Sequence, residues 1–164
     1  KRAGAVVVSH AQRLDSKLAK KVHAASGGNP IAWTAHHWTG LQLHTKEGDR
    51  EETLGWLTGK TVAVRLGIGS PQPVIEALVR LGTKIAHQLP AGDHQPFSQH
   101  ELKKLTEISS DVDAIVMTQK DWVKARDVLD VENLQCPVVI PQLVLEVIEG
   151  GKDLEARLLS VFNI

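Results

Sequence analysis

Asp93 and His94 stand side by side in the stretch Asp93-His94-Gln95-Pro96-Phe97. A carboxylate beside an imidazole can orient the ring and raise its pKa, an arrangement suited to proton transfer. Neighbours in sequence need not touch, so base chemistry and an ordinary loop histidine both stay open for this pair. Gly67-Ile68-Gly69-Ser70-Pro71 could offer backbone N–H groups to an anion where it opens a helix. It lacks the third glycine of a dinucleotide fingerprint and the Gly-Lys-Ser/Thr of a P-loop. A tight turn that needs glycine is the simpler reading. Thr118-Gln119-Lys120-Asp121, followed by Lys124 and Arg126, gathers positive charge suited to phosphate. The plainer account, slightly preferred on the residues alone, is a solvated helix start with Asp121 favouring the dipole.

Other reactive residue types read as bland. Of the eight histidines, His10, His23, His44, His87 and His100 are expected at the surface or satisfied in the core. His36-His37 has no Cys, Asp or Glu at ligand spacing, so no metal site is expected. Gly59-Lys60-Thr61 imitates the tail of a P-loop but precedes its strand, and the position of the first glycine holds Leu54. The single cysteine, Cys136, stands before Pro137 beside an apolar run and reads as a small buried hydrophobe.

The elements that must position these residues alternate. A short apolar run at 4–8 predicts a strand buried on both faces. A helix is predicted over 16–25, with Leu14, Leu18 and Val22 at helical spacing and Gly27-Gly28 as its stop. A strand at 31–34 follows the Asn29-Pro30 turn. Residues 35–59 alternate polar and apolar positions around the turn-like Lys46-Glu47-Gly48-Asp49. They read as an exposed antiparallel ribbon or linker. A strand at 61–65 leads into the glycine turn, and Val74, Leu78 and Leu81 mark one face of the helix after Pro71. A strand at 84–89 ends in the Asp93-His94 loop. The next helix opens on a capping box, Ser98 to Glu101, and turns Leu102, Leu105 and Ile108 inward. A strand at 113–117, a helix at 121–128, a strand at 137–140 and a helix at 152–161 complete the chain. The fold class is α/β, a mostly parallel sheet with helices on both faces and a ribbon excursion. Three consecutive strands then end in polar loops at one sheet edge, where ligands bind in such folds.

Composition narrows the function. With 164 residues and 42% hydrophobic content, the chain can bury one full core. Lys and Arg number 19, matched by 19 Asp and Glu. No net field to hold nucleic acid is expected. One cysteine excludes an internal disulfide framework and fits a reducing compartment. No apolar run approaches the roughly 20 residues of a membrane span. The start Lys1-Arg2-Ala3, running at once into a strand, reads as a segment of something longer.

The loops, in this order, resemble the C-terminal part of the tetraacyldisaccharide 4'-kinase family, the lipid A 4'-kinases of Gram-negative bacteria. That family is similar in having strand, Gly-Ile-Gly-Asn-Pro, helix, then Asp-His-His-Pro-Tyr, then a strand with Thr-Glu-Lys-Asp-Ala-Val-Lys. The matching stretches are Gly67 to Pro71, Asp93 to Phe97 and Thr118-Gln119-Lys120-Asp121-Trp122-Val123-Lys124. Arg2-Ala3-Gly4 is similar to an Arg-Ala-Asp stretch of the family. The likeness covers nearly the whole chain. Ser70, Gln95 and Gln119 depart from the family's Asn, His and Glu.

The resemblance implies transfer of the ATP γ-phosphate, with Mg²⁺, to the 4'-hydroxyl of a tetraacyldisaccharide 1-phosphate. It implies a cytoplasmic enzyme peripheral at the inner membrane, with a P-loop domain and a smaller α/β domain joined partly by a ribbon. Residues 1–164 would be that smaller domain and 35–59 the ribbon. The partners implied are the P-loop domain, the lipid disaccharide and the inner-membrane surface, with no nucleic acid. His94 matches the family's loop histidine that positions a carboxylate base, with Asp93 as its orienting neighbour. Gly67, Gly69, Ser70, Thr118, Lys120, Asp121 and Lys124 would bind substrate or phosphate. No P-loop lies in residues 1–164, so neither ATP nor Mg²⁺ is expected to bind this segment alone, and it is expected to be inactive by itself. Two other readings stay open: a free-standing α/β domain holding a phosphorylated or anionic ligand, and an interaction domain using the tryptophan-bearing ribbon.

Overall fold

The structure is a computed structural model that describes residues 4–11, 13–89, 91–92 and 95–162. In chain order these form β1 (Val7–Val8), α1 (Ser16–Ser26), β2 (Ala32–Thr45), β3 (Gly48–Glu52), β4 (Thr61–Arg65), α2 (Gln72–Arg80), β5 (Lys84–Leu89), α3 (Gln99–Ile108), β6 (Ala114–Met117), α4 (Gln119–Ala125), β7 (Val138–Glu149) and α5 (Gly151–Phe162). The α/β class and the mostly parallel sheet are as the sequence predicts. The chain divides into two compact units, residues 1–37 with 143–164, and residues 38–142. Strands β2 and β7 each run through both.

The larger unit holds the three motif loops. Its strand order includes β7-β6-β4-β5. β4 pairs in parallel with β5 on one side and β6 on the other, and β6 pairs in parallel with β7. The chain thus passes from β4 to β5 in one direction and returns to the far side of β4 for β6. A crevice opens at such a switch point, beyond the carboxyl ends of the strands.

Strand alternation divides the unit's core. Ala63, Ile115, Met117 and Val138 turn to one face, where Leu102, Leu105, Trp122 and Ala125 cover them. Val62, Val64, Ala114, Val116 and Val139 turn to the other, against Leu78 of α2 and Leu41, Leu43 and Leu57. The hairpin β2–β3 is antiparallel, closing at Thr45↔Gly48, as expected for residues 35–59. Its apolar face is not exposed, however: Leu41, Leu43 and Leu57 are fully buried. The alternation that suggested a solvated ribbon is the pattern of a half-buried sheet surface.

Helix ends follow local chemistry. Ser98 and Glu101 form the expected capping box at α3. Helix α4 begins earlier than the predicted residue 121, because the Thr118 hydroxyl accepts from the Asp121 N–H and caps it. Gly27 ends α1 in a left-handed conformation.

The smaller unit carries β1, which pairs in parallel with β2 at Val7↔Ala32. The expected burial of β1 on both faces is not met, since Val7 is 40% exposed. β1 lies at the end of the strand order and has a neighbour on one side only. β7 continues well past the predicted end at residue 140, and Leu143, Leu145 and Val147 on it are exposed. Within this unit His37 Nε2 meets Glu146 Oε2 at 2.7 Å. Burial, then the neighbouring His10 and His37, hold the His36 imidazole below its ordinary pKa. Among the described residues no helix is long and apolar enough to cross a membrane.

Candidate functional site

The last residue of β4 organises the sheet edge. Arg65 stands on the same strand face as Ala63 and is fully buried. Its Nη1 donates to Asp121 Oδ1 at 2.5 Å, and Asp121 is fully buried too. The other guanidinium nitrogen, Nη2, lies 3.4 Å from the Gln95 carbonyl oxygen and 3.5 Å from Glu101 Oε1. The Phe97 ring lies 3.8 Å from Cζ, a cation–π contact. One cation therefore joins the end of β4, the loop before α3, the first turn of α3 and the first turn of α4.

Asp121 closes the remaining side. Its Oδ2 accepts from the Gly67 N–H at 3.0 Å and from the Thr118 hydroxyl at 2.7 Å. Both carboxylate oxygens are thus engaged by Arg65, Gly67 and Thr118. A buried carboxylate is tolerated only with such compensation. Gly67 serves this closeness: a Cβ there would lie 2.5 Å from Asp121 Oδ1 and 2.7 Å from Arg65 Nη1. Burial alone would raise the Glu101 pKa. Hydrogen bonds from Ser98 and the charge of Arg65 outweigh it and hold the carboxyl below its ordinary value.

The network accounts for three of the sequence-predicted site residues differently from a phosphate site. Asp121 is neither at a solvated helix start nor free for a ligand, Gly67 spends its N–H on Asp121, and Thr118 caps α4. Gly69 and Ser70 are exposed beyond the buried turn, and the Cβ position of Gly69 meets nothing within 4 Å. Lys120 and Lys124 are half-buried on α4. The Lys124 Nζ is buried and has no hydrogen-bond partner among the described residues, as is Nε of Arg65. Asp93 and His94 lie outside the described residues. Cys136 is a buried thiol, pushed up to about 12 by burial and by Asp113. No three His, Cys, Asp or Glu gather around a metal position among the described residues.

Arg65, Glu101 and Phe97 were missed as site residues by sequence reasoning. The available signal was Arg65 itself. Period-two alternation puts it on the face of Ala63 in an otherwise apolar strand, and a charge there requires a partner.

Comparison with known proteins bears on the same stretches. The family model described as tetraacyldisaccharide-1-P 4'-kinase matches residues 1–163. The chain is similar to the tetraacyldisaccharide 4'-kinase of Rhodospirillum centenum, 39% identical over 69 residues, 42% of this chain and 20% of that protein. The Shewanella frigidimarina protein of the same name is 37% identical over 67 residues, 41% of this chain and 19% of that protein. That of Geobacter sulfurreducens is 31% identical over 104 residues, 63% of this chain and 29% of that protein. The chain thus spans less than a third of the length of these relatives. No solved structure matches it. With the family match running over residues 1–163, the chain belongs to the tetraacyldisaccharide-1-P 4'-kinase family.

Proposed function

We propose that this chain is the smaller α/β part of an ATP-dependent kinase of lipid A biosynthesis, acting on the 4'-hydroxyl of a tetraacyldisaccharide 1-phosphate. In this reading it works with a P-loop-bearing part of the same enzyme at the cytoplasmic face of the inner membrane, and transfers no phosphate alone. The family match supports the reaction class. The observation that carries the role of these residues is the Arg65 network, which ties all three motif loops to one sheet edge.

Phosphoryl transfer asks a protein mainly for positioning and charge neutralisation. Arg65 meets Gln95 and Phe97, which follow His94 by one and three positions, and Glu101 in the first turn of α3. A histidine on a loop anchored in this way can hold a carboxylate base in place while that base takes the proton of the 4'-hydroxyl. Asp93 is proposed to orient His94. Lys120, Lys124, Ser70 and Gly69 are proposed to face substrate phosphate, whereas Gly67, Thr118 and Asp121 build the edge beneath them.

The Gly67 N–H, the backbone donor of the glycine turn that could have met a phosphate, is committed to Asp121. ATP and Mg²⁺ are assigned in this reading to the P-loop-bearing part.

The test joins this chain to the P-loop-bearing part of a curated relative and measures ATP-dependent phosphorylation of a tetraacyldisaccharide 1-phosphate. Turnover is expected from the fusion and not from the chain alone; turnover by the isolated chain would overturn the proposal. In the active fusion, His94→Ala is expected to lower kcat by about two orders of magnitude, within the general-base range. An unchanged kcat would remove His94 from the chemistry.

A further inference from the structure

Helix α4 is 7 residues long, about two turns. A helix that short does not hold its place by itself and takes it from the contacts of its side chains. Two neighbours in sequence supply them. Asp121 turns to the end of β4, where Arg65 and the Gly67 N–H meet its carboxylate. Trp122, about 100° further round the axis, turns into the core with Leu102 and Leu105.

The β2–β3 hairpin covers one side of the Trp122 ring. The His44 imidazole stacks on it at 4.1 Å between centroids and 22° between planes. His44 is itself held. Asp49, opposite it across the hairpin, lies 2.7 Å from Nδ1, and a carboxylate accepts from Nδ1–H whatever the state of Nε2. The turn beyond is pinned as well: the Thr45 hydroxyl donates to the Gly48 carbonyl at 2.8 Å and accepts from the Glu47 N–H at 3.1 Å. His44 is buried, so its ring fills the space between hairpin and helix. In the resembled motif, Thr-Glu-Lys-Asp-Ala-Val-Lys, the place of Trp122 holds alanine, which offers no ring to stack on. The contact is thus a feature of this chain.

Two turns of helix move as one body, so a displacement at Trp122 is a displacement at Asp121. The bonds of Asp121 tolerate little of it. Its Oδ2 serves the Gly67 N–H at 3.0 Å, and a shift of about 0.5 Å takes that contact out of the ordinary range. We propose that His44 is a positioning residue: its stack on Trp122 sets the place of α4 and, through Asp121, the geometry of the Arg65 edge. Lys120 and Lys124 stand on the same two turns. That they then meet substrate phosphate in register rests on the kinase reading, whereas the coupling of hairpin to edge does not.

Amide hydrogen exchange of the 164-residue chain, read by nuclear magnetic resonance, tests the coupling. The Gly67 N–H reports the edge, and the Ile115 N–H, bonded to the Pro137 carbonyl at 3.0 Å, reports the sheet. His44→Ala is expected to speed exchange at Gly67 about tenfold more than at Ile115, the factor for the upper end of an aromatic stack. His44→Phe keeps a ring against Trp122 and should restore most of the protection. Leu78→Val, in the core on the other face of the sheet, should not raise the ratio. Should His44→Ala fail to fold, Asp49→Ala, at an exposed position, carries the test with an expected change of about two- to threefold. In the active fusion, His44→Ala is expected to raise KM for the lipid disaccharide about fivefold with kcat within about twofold, and His44→Phe to reverse the change. A ratio that His44→Ala leaves unchanged, or that Leu78→Val raises as much, overturns the coupling. A changed ratio with unchanged KM overturns the positioning role and leaves a packing contact. A changed ratio beside a fusion that is inactive with His44 intact supports the coupling and counts against the kinase reading alone.

Discussion

Replacing Asp121 by asparagine tests whether the sheet edge rests on a buried ion pair. Arg65 and Asp121 are both fully buried, with Nη1 and Oδ1 2.5 Å apart. Removing one member of a buried pair costs about 3–5 kcal/mol, because the other charge is left without compensation. Two details set the size here. Glu101 stays 3.5 Å from Nη2 and keeps part of the neutralisation, and asparagine retains an acceptor for Nη1. Against that, its NH2 group would occupy the place of the oxygen that accepts from the Gly67 N–H. Two donors would then face one another, at about 1–3 kcal/mol for the unmet bond. The expected loss is about 3–4 kcal/mol. Urea unfolding followed by tryptophan fluorescence reads it, since Trp38, Trp56 and Trp122 all lie in the larger unit. At a slope of about 2 kcal/mol/M the midpoint should fall by about 1.5–2 M. A helix-start carboxylate that only favoured the dipole would cost about 0.3–1 kcal/mol. A loss below about 1 kcal/mol would therefore refute the bridge. The double variant Arg65→Met, Asp121→Leu supplies the control. It should lose less than the two single changes added together, because it strands no charge.

Gly67→Ala is expected to cost about 2–3 kcal/mol with no ligand present, because both atoms that its Cβ would meet belong to fully buried side chains; a variant of unchanged stability and weakened anion binding would return Gly67 to a phosphate role. Lys124→Met should raise the unfolding free energy by about 1 kcal/mol while lowering turnover of the active fusion, since the buried Nζ has no hydrogen-bond partner among the described residues. A loss of stability would refute the burial cost. Acid should act through Glu101 and His36. Both hold pKa values below their ordinary 4.5 and 6.5 when folded, so the folded protein binds fewer protons and stability falls as pH falls through each range. As pH falls below about 6.5 the His36 part should appear as a drop in Tm that His36→Gln reduces, and Glu101→Gln should flatten the loss below about pH 4.5; an unchanged pH profile in either variant would refute its assignment.

What the sequence carried was local. The alternation of strands and helices, the Ser98–Glu101 capping box and the Gly27 stop each depend on residues a few positions apart. Their hydrogen bonds and side-chain periods read directly from the chain. The burial of Cys136 also followed from its immediate neighbours. The edge with its three loops was legible for the same reason, as strands that each end in a polar turn.

Tertiary structure decided which charges meet. Arg65 and Asp121 are 56 positions apart. Only the parallel register that sets Arg65 beside Met117 brings the ends of β4 and β6 together. That register turns Gly67 from a candidate anion loop into the glycine that lets a buried carboxylate approach. It also replaces the solvated Asp121 of the sequence reading with one that has no exposure. The same limit applies to the hairpin, where period two revealed two faces but not which would be covered. Leu41 and Leu43 went to the core beside α2 and His44 onto Trp122 of α4, because the two helices pack on opposite sides of one sheet. Local pattern specifies the element and its two faces; the partner that covers each face is chosen by strand order and register, which no short stretch of sequence contains.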